Sequence, residues 1–385
     1  MSTTGEHGDL EARTRDFVRN VIIPYEKDPR LSAHGPSDDL IQELRTHARA
    51  AGLLTPQIAT EWGGYGLSHV QSAAVLRAAG YSFLGPVAMN CMAPDEGNMY
   101  LLERVATPEQ KARFLAPLAR GEIRSAFLMT EPDGGAGSDP SMLLTAARLD
   151  GDQWIIDGRK WLITGAVGAS FGIVMARTGE HATMFLVDMS TPGIAVERVL
   201  DTLDASMAGG HAVVSLSGVR VHESQVLGGV NEGFRYAQVR LAPARLTHCM
   251  RWWGAALRVH DIAVEYACRR RAFGQPLIEH EGVGFMLARN EVDLRQTQLM
   301  MDWAAAALDG GSRATTESSM AKYSCAELLF GIADRCVQVL GGTGITSDTP
   351  VARIFNELRA FRIYDGPSEV HLWSLARRIQ RHHAA

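Results

Sequence analysis

The spacing of hydrophobic and polar positions changes twice along the chain. From about Leu10 to Gly121 apolar residues recur at helical intervals, as at Leu40, Leu44 and Ala48 with His47 beside it. The run Trp62-Gly63-Gly64-Tyr65-Gly66 interrupts that pattern. Thr107-Pro108-Glu109-Gln110 reads as a helix start: a threonine cap, proline in the first turn, and a glutamine that can reach back to the cap. From about Arg124 to Leu227 the spacing shortens. Trp154–Trp161 reads as strand, Asp157-Gly158 turn, strand, and Ile173–Met175, Met184–Val187 and Ala212–Leu216 are further short strands. After Gly228-Gly229-Val230-Asn231-Glu232-Gly233 long helices return. Phe285, Ala288, Val292, Leu299 and Trp303 mark one face of the first, and Ala321, Cys325, Leu328, Ile332 and Val339 one face of the next. The expected organisation is α+β: a helical domain over 1–123, a β domain over 124–230 and a helical bundle over 231–385. Helices and strands segregated in this way argue against a parallel α/β sheet.

Composition narrows the function classes. The 385 residues, 46% of them hydrophobic, are enough for two or three domains. A net charge of -5 gives no global basic field for nucleic acid or an anionic membrane, although Arg269-Arg270-Arg271 could meet a phosphate. Five scattered cysteines show no metal-ligand spacing, so buried reduced thiols and no metal site are expected. The stretch Met1 to Glu11 is polar, and no unbroken apolar run reaches the ~18 residues of a membrane span. These features lead to the expectation of a cytoplasmic protein without a membrane span.

The segment richest in chemistry is Met129-Thr130-Glu131-Pro132-Asp133-Gly134-Gly135-Ala136-Gly137-Ser138-Asp139. Its glycines let backbone N–H groups approach an anion, and its hydroxyls add donors. It lies where helical texture gives way to strands, so it is expected to line a cofactor cleft between domains. Alone, such a run is most often a solvated loop. Four further segments accompany it in order: Gly158-Arg159-Lys160-Trp161-Leu162-Ile163-Thr164; Arg270 with Phe273-Gly274-Gln275; Gln338-Val339-Leu340-Gly341-Gly342-Thr343-Gly344; and Ile363-Tyr364-Asp365-Gly366-Pro367-Ser368-Glu369. Together they resemble the acyl-CoA dehydrogenase superfamily along nearly the whole chain. Asn90–Met99 and Arg245–Arg251 are most similar to the branch holding the human tenth and eleventh acyl-CoA dehydrogenases. The chain departs from the family pattern in its longer Asp133-Gly134-Gly135 spacer and in Leu162, where tryptophan is frequent. Ala272 replaces a frequent threonine, and Glu281 a frequent glutamine.

The resemblance implies an N-terminal helical domain, a middle β-barrel domain and a C-terminal four-helix bundle that bind FAD. Met129, Thr130, Gly137, Ser138, Leu162, Ile163 and Thr164 would hold the flavin. Arg270, Phe273, Gln338, Gly341 and Gly342 would meet its diphosphate, in relatives from a neighbouring subunit, which implies a homodimer or homotetramer. Pro367 and Glu369 would lie towards its adenosine end. Trp161, one residue before Leu162, should face the other side of its strand. Ser138, Arg245 and Gly366 would touch the substrate, with Arg245 meeting a CoA phosphate or ordering the base; a helix-capping ion pair is the competing account.

Asp365 is the implied base. Desaturating a thioester between Cα and Cβ needs a carboxylate to remove the α-proton while hydride leaves Cβ, and desolvation would raise its basicity. Some relatives place a base just before the arginine matching Arg245; here Ala244 cannot serve. The bland reading of Asp-Gly-Pro-Ser is a turn or helix cap. His248 reads as packed or hydrogen-bonded. Gly341-Gly342-Thr343-Gly344 follows a helix, which argues against a nicotinamide site. The implied activity is desaturation of an acyl-CoA or acyl-carrier thioester, with electrons passed to an electron-transferring flavoprotein. A nitroalkane oxidase-like enzyme and a non-catalytic scaffold of the same fold are the alternatives.

Overall fold

The computed structural model describes residues 4–383, with side chains from Asp9 onward; Met1–Thr3, the start of the polar amino-terminal stretch, lie outside the described residues. The chain packs as two compact units. One comprises residues 29–66 and 87–244, the other 1–28, 67–86 and 245–385, so the amino-terminal helical segment contributes to both.

The first unit is built on a seven-stranded curled sheet: β1 (Ser125–Leu128), β2 (Ala146–Asp150), β3 (Gln153–Thr164), β4 (Phe171–Thr178), β5 (His181–Asp188), β6 (Ile194–Leu200) and β7 (His211–His222). The order is β1-β4-β2-β3-β7-β6, with β5 paired to β4. The expected strands are present but longer, and β1, β2 and β6 are additions. β1 pairs parallel with β4, whereas β4–β5, β2–β3, β3–β7 and β6–β7 are antiparallel. The near-continuous apolar run of β4 has a physical cause. Phe171, Ile173 and Met175 pack with Met99, Leu102 and Phe114 of the helical segment, while Val174 and Ala176 face Trp154, Ile163 and Phe185 on the sheet's other side. Asp157-Gly158 is not a hairpin turn. β3 runs through it and shifts register between Ile156 and Gly158. A Cβ at Gly158 would lie 2.4 Å from Thr145 Oγ1, so glycine is needed for close approach within a bulge. The unit also holds α2 (Asp38–Ala50), capped by Ser37, and α4 (Asp95–Val105). Thr107 and Gln110 form the expected capping box, and the helical run they open carries a π turn over Lys111–Leu115.

The second unit is helical: α1 (Thr4–Phe17), α3 (His69–Ala79), the later part of α5 (Gly233–Arg269), α6 (Glu281–Asp309), α7 (Thr315–Leu340), α8 (Val351–Phe361) and α9 (Ser368–His383). α3 crosses α5 where a Cβ at Gly80 would meet Arg251 O at 1.9 Å and one at Gly254 would meet Arg77 O at 2.1 Å. Of the expected α7 stripe, Ala321, Cys325, Ile332 and Val339 are in the core, whereas Leu328 is only half-buried and its neighbour Leu329 takes the core position. The α6 stripe is the reverse. Phe285, Val292, Leu299 and Trp303 are 69%, 54%, 61% and 47% exposed, and Ala288 is exposed as well. The core seam instead runs Leu287, Asn290, Leu294, Thr297, Met301 and Ala304, a heptad-like spacing with two polar members. Asn290 takes Arg335 Nε at 2.6 Å, and the Thr297 hydroxyl donates to Asp293 O at 2.8 Å, so both polar groups are satisfied inside the bundle. One helical stretch, Thr315–Ile345, is long and apolar enough to cross a membrane by length and composition alone.

Candidate functional site

In the sheet unit the loop after β1 is held by a buried charge. Lys160, pointing inward from β3, places Nζ 2.9 Å from Glu131 Oε1 and donates to Met129 O at 3.1 Å and Met175 O at 2.8 Å. Glu131 also accepts from the N–H groups of Leu144 (2.6 Å), Thr145 (2.8 Å) and Ala136 (3.2 Å). Burial alone would raise the Glu131 pKa, but Lys160 and these donors outweigh it and bring it down to about 2. Burial pulls the Lys160 pKa down to about 8 against the attraction of Glu131. The pair was not among the sequence-derived site residues, yet it shapes the loop that contains them. Beyond it Asp133 takes a positive φ of 56°, and Gly137, Ser138 and Asp139 are exposed, with open space where a Gly137 side chain would stand.

The Thr130 hydroxyl donates to Trp161 O at 2.5 Å, and Trp161 N–H donates to Thr130 O at 2.9 Å, which ties the loop to β3. At that point β3 bulges: register shifts between Lys160 and Ile163, and Leu162 has φ 56°. Strict alternation therefore does not hold. Trp161 and Leu162 are both exposed (38% and 41%). The Ile163 side chain is buried in the sheet core, leaving only its backbone to meet a ligand. Thr164 Oγ1 lies 2.9 Å from His211 Nδ1, and His211 Nε2 lies 2.7 Å from Asp204 Oδ2. Burial tends to raise the Asp204 pKa, but His211, helped by Thr202 and a backbone donor, outweighs it and lowers it. Neither His211, the partner of Thr164, nor Asp204 behind it was foreseen.

The Asn90–Met99 segment uses its polar residues to join α4 to β1. Asp95 accepts the Ser125 N–H and hydroxyl, both at 2.7 Å, and lies 3.4 Å from Arg45 Nη2. Asn98 donates to Ser125 Oγ and accepts from Arg240 Nε, each at 2.9 Å.

In the helical unit the chain leaves α8 through a tight turn, in which Asp365 (φ 56°) and Gly366 (φ 98°) are left-handed. Two cations hold the carbonyls of this turn. Arg245 Nε donates to Asp365 O at 2.9 Å, and Lys322 Nζ donates to Phe361 O at 2.8 Å and Gly366 O at 3.3 Å. Burial lowers the pKa of both, against the attraction of nearby acidic groups that include Asp365. His371 Nε2 sits 3.3 Å from Asp365 O; burial first, then Arg245 and Lys322, push its pKa down to about 4. His248 Nε2 lies 3.3 Å from Asp365 Oδ2. The carboxylate thus sits among cationic and imidazole groups rather than in a purely apolar slot. Of these four groups, Lys322 and His371 carried no sequence signal, since they belong to other helices. Pro367 follows at the turn, and Glu369 is an exposed charge in the first turn of α9, where it favours the helix.

Arg270 follows the end of α5 and is exposed; its N–H donates to Tyr266 O at 2.8 Å. The following two-stranded hairpin leaves Phe273 (φ 49°) 96% exposed. Gln338, Gly341 and Gly342 are also exposed, with open space about both glycines.

Family models match three consecutive stretches: the acyl-CoA dehydrogenase N-terminal domain over 4–122, the middle domain over 126–216 and the C-terminal domain over 231–380. Acyl-CoA dehydrogenase FadE2 of Mycobacterium tuberculosis is 37% identical, covering 96% of this chain and 94% of its own. Acyl-CoA dehydrogenase family member 11 of Rattus norvegicus (34%) and member 10 of Mus musculus (35%) match over 96% and 94% of this chain, as the branch resemblance implied. This chain spans only 50% and 36% of those two longer relatives. A glutaryl-CoA dehydrogenase of Mycobacterium smegmatis, solved in complex with FADH2, superposes with a TM-score of 0.87 at 27% identity, covering 97% of this chain and 94% of that one. On this identity over its full length, and on three domain models matched in order, the chain belongs to the acyl-CoA dehydrogenase family.

Proposed function

We propose that this protein is an FAD-dependent dehydrogenase that desaturates an acyl-CoA thioester between Cα and Cβ, with Asp365 as the base. The observation that carries the reading is the doubly clamped turn, in which Arg245 holds the carbonyl of a left-handed Asp365 and Lys322 that of the following Gly366. A turn that needed only to reverse direction would not require two buried cations.

The residues present fit a flavin. Trp161 and Leu162 offer exposed apolar surface on β3, and the hydroxyl-bearing Thr130 and Thr164 are tied to the same strand, Thr130 through the Trp161 carbonyl, as an aromatic ring with polar edges would need. The glycines at 137, 341 and 342 leave room for phosphate oxygens to approach the backbone. Met129, Thr130, Leu162, Thr164 and the Ile163 backbone would hold the ring. Gly137 and Ser138, and from a second copy Arg270, Phe273 and Gln338, would meet the diphosphate. When bound, FAD supplies the acceptor for the hydride that leaves Cβ.

The chain's own task is proton transfer and orientation. Asp365 takes the α-proton onto a carboxylate oxygen. It reaches one methylene less than Glu, so the thioester must sit correspondingly nearer the turn. Arg245 and Lys322, fixed on backbone oxygens, keep the carboxylate from swinging away and offset its charge. Gly366, where a Cβ would come 2.8 Å from His371 Nε2, lets the turn pack closely against that imidazole. Longer, branched or hydroxylated acyl chains, an electron-transferring flavoprotein as acceptor and a homo-oligomeric state complete the reading. The exposed Phe285, Leu299 and Trp303 support self-association.

The test is an anaerobic titration of the FAD-loaded protein with a panel of acyl-CoAs of varied length and branching, alongside nitroalkanes. Bleaching of the oxidised flavin band by at least one acyl-CoA is expected. Failure to take up FAD, or bleaching by nitroalkanes alone, contradicts the proposal.

A further inference from the structure

We propose that Asp204 and His211 are positioning residues for the flavin: they fix the Thr164 hydroxyl so that it donates to His211 Nδ1 and offers the ring only oxygen lone pairs. The inference rests on the reading that FAD is held with Thr164 at its ring. It goes beyond that reading by assigning the direction of the hydrogen bond and the two residues that set it.

The three residues are brought together within the sheet unit. Thr164 ends β3, His211 begins β7, and the two stand opposite each other in the antiparallel ladder. The register shift between Lys160 and Ile163 sets that pairing. Asp204 lies in the loop from β6 to β7, which closes through Gly209 (φ 79°) and Gly210 (φ 60°). Gly165 N–H donates to Gly210 O at 2.9 Å, so the loop is tied to the residue after Thr164. Two contacts in series result: Thr164 Oγ1 is 2.9 Å from His211 Nδ1, and His211 Nε2 is 2.7 Å from Asp204 Oδ2.

Donor and acceptor chemistry gives the series a direction. Asp204 and His211 are buried, whereas Thr164 is half-buried. Burial opposes ionisation of Asp204, but His211 and Thr202 keep its carboxyl below the ordinary range. An ionised carboxylate can only accept, so Nε2 carries the hydrogen that lies between them. In the neutral imidazole Nδ1 is then a bare acceptor, and the Thr164 hydroxyl must supply the hydrogen of the second contact. The lone pairs left on Oγ1 suit an N–H. Two-electron reduction of a flavin turns a ring nitrogen from an acceptor into an N–H donor, so a fixed acceptor at the ring favours the reduced form. The protein thereby tunes the cofactor through a hydrogen bond to its ring.

The test has two readouts. Nitrogen NMR of ring-labelled histidines at about pH 8, with the His211 signal identified by its loss in His211→Phe, should show Nε2 protonated and Nδ1 bare, with and without FAD. The flavin midpoint potential of the FAD-loaded protein is then measured in four variants. His211→Phe frees the Thr164 hydroxyl and should weaken the preference for reduced flavin about tenfold, a fall of about 30 mV for a two-electron couple. His211→Asn, whose amide oxygen stands near the position of Nδ1, should return the potential towards wild type. Thr164→Val should lower it, and adding His211→Phe to Thr164→Val should lower it no further, because His211 acts through that hydroxyl. If His211→Phe alone does not fold, Asp204→Leu/His211→Phe removes the stranded carboxylate and makes the same comparison. A hydrogen on Nδ1, an unchanged or raised potential in His211→Phe, or additive effects of the two substitutions overturns the proposal. A wild-type protein that takes up no FAD overturns the flavin reading and the proposal with it, whereas any of the former results in a protein that binds FAD overturns the proposal alone.

Discussion

Replacing Glu131 by glutamine changes one atom yet should be among the most damaging single substitutions in the sheet unit. The carboxylate receives four donors, Lys160 Nζ and the N–H groups of Ala136, Leu144 and Thr145, and the side chains of Glu131 and Lys160 are 1% and 0% exposed. Glu131 drops from 4.5 to about 2, which stabilises the fold above ordinary carboxylate pH and is lost as pH falls towards 2. Lys160 drops from 10.5 to about 8, which disfavours the fold at neutral pH, and that penalty fades as pH rises from 8 to 10.5. The two effects oppose each other at neutral pH. Glutamine removes the favourable one and leaves the unfavourable one, and it turns an amide NH2 towards the N–H groups of residues 136 and 144. A buried charge stripped of its partner costs about 3–5 kcal/mol. Glu131→Gln/Lys160→Met removes both charges and should be less destabilised than Glu131→Gln alone. Urea unfolding followed by tryptophan fluorescence, with FAD retention measured in parallel, reads both. A Glu131→Gln protein within about 1 kcal/mol of wild type, or a double variant weaker than the single, refutes the reasoning.

Two further outcomes follow from other sites. His371, with its folded pKa depressed from 6.5 to about 4, stabilises the fold fully above pH 6.5 and progressively less as pH falls to about 4, because the unfolded chain binds the proton first. Stability should therefore fall less steeply between those values in His371→Gln, read as a smaller slope of unfolding free energy against pH; an unchanged slope contradicts the assignment. Leu299→Glu/Trp303→Glu, on the exposed face of α6, should lower the mass measured by sedimentation while leaving the helical circular dichroism intact; an unchanged assembly excludes that face from the interface.

What the sequence disclosed followed from local rules. The Thr107 capping box is dictated by a neighbour three residues away and stands in the structure as read, and the α7 stripe, set by positions three to seven residues apart, holds at all its members but Leu328. Two readings failed where tertiary context decides. Asp157-Gly158 carries the signature of a hairpin turn, but its glycine answers a steric demand from Thr145, distant in sequence. On α6 the larger apolar residues mark the outer face, because Asn290 and Thr297 are inside with partners on other parts of the bundle or their own backbone. The candidate site divides in the same way. Asp365, Thr130 and Arg245 lie in contiguous motifs and could be named from sequence. Lys160–Glu131, His211–Asp204, Lys322 and His371 matter through pairings that no spacing rule encodes.

The central claim is that the Asp365 carboxylate removes the α-proton. Asp365→Asn keeps the shape of the turn, the Arg245 contact to its carbonyl and the surfaces offered to FAD. Mixed anaerobically with an acyl-CoA that bleaches the wild-type flavin, it should show a normal flavin spectrum and a bleaching rate lower by about 10³-fold or more. Bleaching at the wild-type rate would contradict the account.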